Sequence, residues 1–172
     1  MLNLDLEPFQ RYSAEYWIDR LALEPHVEGG YYREVYRSTT EVKPGFSSTP
    51  RSAATHIYFL LTGDAFSAFH RITADELWHF YEGDAVAVYE ILADGTLLTH
   101  LLGTDAAKGQ MPFCVIREGS WFGSKLTGEG SYGLVGCTVA PGFLFTDLEL
   151  ADRTTLIAQY PQHEALIESL TR

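Results

Sequence analysis

The stretch FHRITADELWHFYEGD, residues 69–84, holds the densest set of groups able to do chemistry. It brings His70, Glu76 and His79 together with Trp78, Phe80 and Tyr81. An imidazole titrates near neutral pH, and a carboxylate beside it can orient the ring or share its proton. His70 is therefore a candidate general acid or base, with Glu76 as its partner. On a strand, side chains two apart share a face. Glu76, Trp78 and Phe80 then point one way, and His79 points the other, toward an outer sheet face or a second copy. If the shared face looks into a closed space, one carboxylate and one imidazole meet in a hollow walled by aromatics. Most small-molecule sites are built so, largely apolar with few polar groups. The plainer alternative is a buried His–Glu pair that only fixes the fold.

A second candidate stretch comes earlier. Gly29-Gly30 leads into YYREVYRS, residues 31–38. It lacks the G-x-G-x-x-G spacing of a phosphate loop, so the glycines serve to turn the backbone sharply into a sheet. Tyr32, Glu34 and Tyr36 share one strand face, and Arg33, Val35 and Arg37 share the other. Tyr32, Tyr36 and Arg33 are candidates for hydrogen bonds to a ligand. Cross-strand pairing or a contact between copies would explain them equally. THIYFLL adds His56 and Tyr58. His26, His100 and His163 show no ligand spacing and read as surface residues. Other schemes fail: no G-x-S-x-G or H-E-x-x-H occurs, and Cys114 has no histidine near it in the chain.

Short β-rich runs position these groups. THIYFLL, FSAFHRI, ELWHFY, AVAVYEIL, TLLTHLL, FCVIR, SWFGSKL and YGLVGCTV follow one another between Gly/Asp turns. Such spacing predicts an all-β sandwich or barrel over residues 29–146. A helix is expected at 13–23, capped by Ser13, with Trp17, Ile18 and Leu21 on one stripe and Pro25 beyond it. Two short helices are expected between 152 and 170, the second opened by Pro161. The whole chain, 1–172, reads as one domain.

Composition narrows the function. The net charge is -11, from 23 acidic and 12 basic residues. That charge repels phosphate backbones and anionic lipids, so neither nucleic acid nor a membrane is an expected partner. The first residues, MLNLDLEPFQRYS, lack the basic and apolar blocks of a signal peptide. Cys114 and Cys137 lie in apolar runs and read as buried free thiols of a reducing, cytoplasmic compartment.

The spacing around Glu76 resembles a known family. His70-x-Ile72, three residues, Glu76, six residues and Gly83 is similar to the first cupin motif, with Ile72 where the second histidine should stand. The second motif is similar only at Gly119, with Phe122 at its histidine position. Three long segments, PHVEGGYYREVYRS, DELWHFYEGD and YGLVGCTVAPGFLFTDLELAD, resemble the cupin-type family long listed as a domain of unknown function. The resemblance implies an RmlC-like jelly roll, a double-stranded β-helix with flanking helices, and a homodimer. Some relatives are likened to sugar-nucleotide epimerases by fold alone, which does not carry function. Two of four cupin metal ligands are replaced by apolar residues. The expectation is a small-molecule ligand without a metal, held by Tyr32, Arg33, Tyr36, His56, Tyr58, Trp78, Phe80 and Phe122 around His70 and Glu76. An isomerase using His70 as acid and base is the first alternative. A divalent-metal enzyme using His70, Glu76 and His56 is the second.

Overall fold

The computed structural model describes residues 12–128 and 130–172. The reading of the first residues as lacking a signal lies outside the described residues for positions 1–11. The described residues form thirteen strands, the longer ones from the apolar runs: β1 (Glu24–Pro25), β2 (Tyr31–Arg37), β3 (Glu41–Val42), β4 (Arg51–Ser52), β5 (Thr55–Thr62), β6 (Phe66–Arg71), β7 (Asp75–Gly83), β8 (Val86–Ile91), β9 (Leu97–Leu102), β10 (Phe113–Ile116), β11 (Trp121–Leu126), β12 (Tyr132–Ala140) and β13 (Glu149–Leu150). Two sheets face each other. One has the order β1-β2-β5-β12-β7-β10, the other β13-β6-β11-β8-β9, and β3 and β4 form a separate pair. All named strand pairs are antiparallel.

The core between the sheets contains Phe59, Leu61, Ile72, Trp78, Val86, Val88, Leu102, Ile116, Phe122, Val135 and Cys137. Helix α1 (Ala14–Leu21) starts at Ser13, whose Oγ accepts the Tyr16 N–H. It ends at Ala22, in the left-handed region with φ 49°, before Pro25 is reached. Its apolar stripe covers part of the outer face of the six-stranded sheet at Leu60, Tyr132 and Leu134. Helices α2 (Arg153–Gln159) and α3 (Glu164–Ser169) cover the outer face of the other sheet through Phe69, Ile91, Trp121, Leu156, Ile167 and Leu170. Among the described residues no helix is long and apolar enough to cross a membrane.

Two irregularities decide which side chains look inward. The β2–β5 register shifts between Glu34 and Tyr36. The β6–β11 register shifts too: Phe122 pairs with His70 and Ser124 with Ser67. The extra residue on β6 brings both Ser67 and His70 to the inner face. Gly123 sits opposite that bulge, where a Cβ would lie 3.0 Å from the Ser67 carbonyl oxygen.

Candidate functional site

A cavity of about 120 Å³ opens at one end of the space between the sheets. Its walls are Ile57, Phe59, Ile72, Trp78, Cys137 and Val139, and its rim holds Tyr32, Phe143 and Phe145. Three carboxyl groups and a guanidinium line it among the described residues: Glu28, Glu34, Glu76 and Arg37.

Glu76 reaches the cavity from β7 by the period of the strand, on the same face as Trp78. It is 8% exposed. Burial pushes its carboxyl up to about 8, and the neighbouring Glu28 carboxyl pushes the same way. The Cys137 thiol and Trp78 indole pull it part of the way back. The indole N–H is buried and forms no full hydrogen bond. At neutral pH Glu76 therefore carries its proton.

Glu28 is the residue that sequence reasoning missed. It sits in the turn before β2, where no strand period signals direction. The only signal was a carboxylate directly before two glycines. Gly29 and Gly30 have φ 117° and 69°. A Cβ on Gly29 would lie 2.0 Å from the Phe66 carbonyl oxygen, so the turn must carry glycine there. The turn is docked by the Ala68 N–H, which donates to the Glu28 carbonyl oxygen at 2.9 Å. Ser67 Oγ donates to Glu28 Oε2 at 3.1 Å, and His70 Nε2 stands 3.5 Å from the same oxygen. Burial raises the Glu28 carboxyl.

His70 is 1% exposed and stands behind Glu28, outside the cavity lining. Its Nδ1 lies 2.7 Å from the Ala68 carbonyl oxygen, which can only accept, so Nδ1 carries the hydrogen. Burial pushes the ring down to about 4, leaving it neutral. The expected His70–Glu76 pair is thus corrected: the partner of His70 is Glu28. His26, expected at the surface, lines the cavity beside Glu28, 3.6 Å away, and burial lowers its pKa.

Several other expected site residues stand elsewhere. The bulge in β2 turns Tyr36 outward, where it is 54% exposed, and turns Arg37 inward. Tyr32 does line the cavity. Arg33 is exposed and donates to the Leu21 carbonyl oxygen at 3.1 Å, at the end of α1. His56 and Tyr58 lie on the outer face of β5. His56 Nδ1 is 2.7 Å from Thr138 Oγ1, and its Nε2 is 3.0 Å from the Tyr81 hydroxyl. Tyr58 packs with the α1 cluster. Phe80 packs on the inner core but outside the cavity lining. Phe122 covers His70, ring centroids 4.0 Å apart, and is likewise absent from the lining. His79 is on the outer face, 3.4 Å from Thr138 Oγ1. His100 is half-buried against Glu90 at 2.9 Å, and His163 lies 2.8 Å from the Gly95 carbonyl oxygen. Cys137 is buried and Cys114 partly so, both free. Both lie opposite Trp78, on strands either side of β7. That puts them two strand spacings apart, roughly 9–10 Å, beyond disulfide reach.

An exposed ion pair flanks the mouth. Arg37 Nε and Nη2 donate to the two Glu34 oxygens at 2.9 and 2.7 Å, and Nη2 donates to the Phe143 carbonyl oxygen at 3.2 Å. The Phe143–Phe145 segment is anchored by Arg51, which donates through both terminal nitrogens to Asp147.

The cupin metal positions were tested on these contacts. His70 is turned to Ala68 and Glu28, Ile72 and Phe122 offer no donor, and His56 is on the opposite face of the sheet. Among the described residues no group of three or more His, Cys, Asp or Glu is placed to hold a metal ion. The residues present do not fit a cupin metal.

Residues 15–151 match the family model described as cupin superfamily (DUF985). This chain belongs to that family. A protein from Shewanella oneidensis is 44% identical in a solved structure, with TM-score 0.86, covering 94% of this chain and 98% of that one. A hypothetical protein from Leishmania major is 36% identical, with TM-score 0.88, covering 93% and 99%. Oxalate decarboxylase from Bacillus subtilis is 13% identical with TM-score 0.54 over 85% of this chain and 36% of that one, a likeness of fold alone. No curated protein matches the sequence.

Proposed function

We propose that this cupin binds a small organic molecule between its sheets without a metal. The observation that carries the reading is the cavity itself: a largely apolar space, open at one end, with the Glu76 carboxyl lining it. Ile72, at a cupin ligand position, lines the cavity and favours a carbon-rich guest, since each buried CH₂ contributes about 0.8 kcal/mol. The volume of about 120 Å³ is close to that of engineered cavities that take benzene, so the guest has only a few heavy atoms inside. Native mass spectrometry after exposure to a metabolite extract tests this. The expected outcome is a retained small organic mass that is lost in Val139→Phe, which fills the cavity. A wild-type protein that retains nothing from the extract sinks the reading.

The same reading includes pairing with a second copy, as family resemblance implies. Tyr36, Tyr81 and Phe113 are exposed on the outer face of the six-stranded sheet, which α1 leaves partly open. Sedimentation velocity of the wild type and of Phe113→Glu checks it; a wild-type monomer removes it.

A further inference from the structure

The lining of the cavity is lopsided in charge. Glu28 and Glu76 open onto it, with Glu34 at the mouth. Among the described residues its one lining guanidinium, Arg37, is paired through Nε and Nη2 with Glu34 and also donates to the Phe143 carbonyl oxygen. Glu76 is more than nine-tenths buried and lines the cavity, yet among the described residues no hydroxyl, amide or cation hydrogen-bonds its carboxyl; its neighbours are the Cys137 thiol, the Trp78 indole and the Glu28 carboxyl. Around these acids stand the rings of His26, Tyr32, Phe59, Trp78 and Phe143. Among the described residues the interior thus supplies carboxyls and aromatic faces, and no cation is paired with Glu76.

We propose that the guest is a small organic ammonium ion, its charge on the Glu76 carboxylate with Glu28 beside it, its carbons against Phe59 and Trp78. This rests on the reading of the cavity as a binding site and names its ligand class. Aromatic faces attract cations more strongly once water is excluded. A net charge of -11 raises the concentration of cations around the protein.

The proposal has a protonic signature. A cation pairs with the carboxylate, so binding expels the proton that Glu76 holds in the empty cavity. The groups facing Glu76 leave it in control. Cys137 on β12 and Cys114 on β10 are thiols pushed up by burial, Cys114 to about 12. His26 and His70, beside Glu28, are pushed down by burial and stay neutral. Glu28 is raised, so any proton it loses acts in the same direction. Arg37 stays paired with Glu34 on β2, and Arg172 acts on Glu28 from the chain end.

Calorimetry with three probes of like size tests it: tetramethylammonium, which cannot titrate, uncharged tert-butanol, and the anion pivalate. Tetramethylammonium is expected to bind at least ~10-fold more tightly than either at pH 8.5, as a desolvated ion pair with aromatic support would give. Its association constant should rise about tenfold per pH unit below 8, one proton being released, and level off above. Glu76→Gln should lose that affinity and the pH rise together while keeping its cooperative melting transition. Glu28→Gln, the second variant should the first misfold, should weaken binding less. Tighter binding of tert-butanol or pivalate, or ammonium binding that is flat or falls with pH, overturns the ligand class and leaves the cavity a binding site. If no probe binds at tens of millimolar, the ammonium class is overturned. Retention from the extract then decides the wider reading separately.

Discussion

The space between the two sheets and the outer face of the six-stranded sheet carry the same kinds of residue and treat them differently. Inside, Glu28, Glu76, His70 and Cys137 are buried, and burial displaces each from its ordinary titration range. Outside, His56, His79, Tyr81 and Thr138 satisfy one another by hydrogen bonds at a partly open surface. Gly136 makes the outer cluster fit: a Cβ there would lie 2.3 Å from the Tyr81 hydroxyl. The outer groups gain from contacts that water can replace. The inner ones have no such substitute, so chemistry is concentrated on the side where polar groups are scarce.

The largest test of that contrast pairs two histidines. His70→Ala should cost about 3 kcal/mol, because it opens a hollow under Phe122 beside the buried Glu28 carboxyl. His56→Ala should cost about 1 kcal/mol, the range for a partly exposed hydrogen bond. Equal losses in urea unfolding would break the comparison.

Next comes pH. Glu76 is raised in the folded state, so its contribution to stability is full below about 4.5 and is lost as pH rises through about 8. His70 is depressed, so its contribution is present above about 6.5 and is lost as pH falls through about 4. Each unit of displacement is worth about 1.4 kcal/mol at most. In Glu76→Gln the decline in melting temperature between pH 5 and 8 should flatten, with the acid limb unchanged. A slope equal to wild type would place Glu76 in a wetter setting than its burial indicates.

The smallest effect belongs to the outer face. Tyr81→Phe should cost within about 1 kcal/mol and leave retention of an organic guest unaltered. A variant that lost the guest would show the two faces to be coupled through β5 and β12.

Local patterning alone determined a good deal. Period-two alternation and Gly/Asp turns specified the β-body, Ser13 marked the start of α1, and Glu76 and Trp78 fell on one inward face because β7 is regular there. The family spacing around Glu76 was legible for the same reason. Tertiary structure decided the rest. A one-residue shift in β2 reversed Tyr36 and Arg37, and another in β6 brought Ser67 and His70 to the same side; alternation cannot foresee a bulge, since one extra residue inverts every direction after it. Glu28 became the partner of His70 only because the Gly29 turn packs beneath Phe66, a contact between chain segments far apart in sequence. His56 was separated from the cavity by the thickness of a sheet, a distance that exists only once the strands have paired.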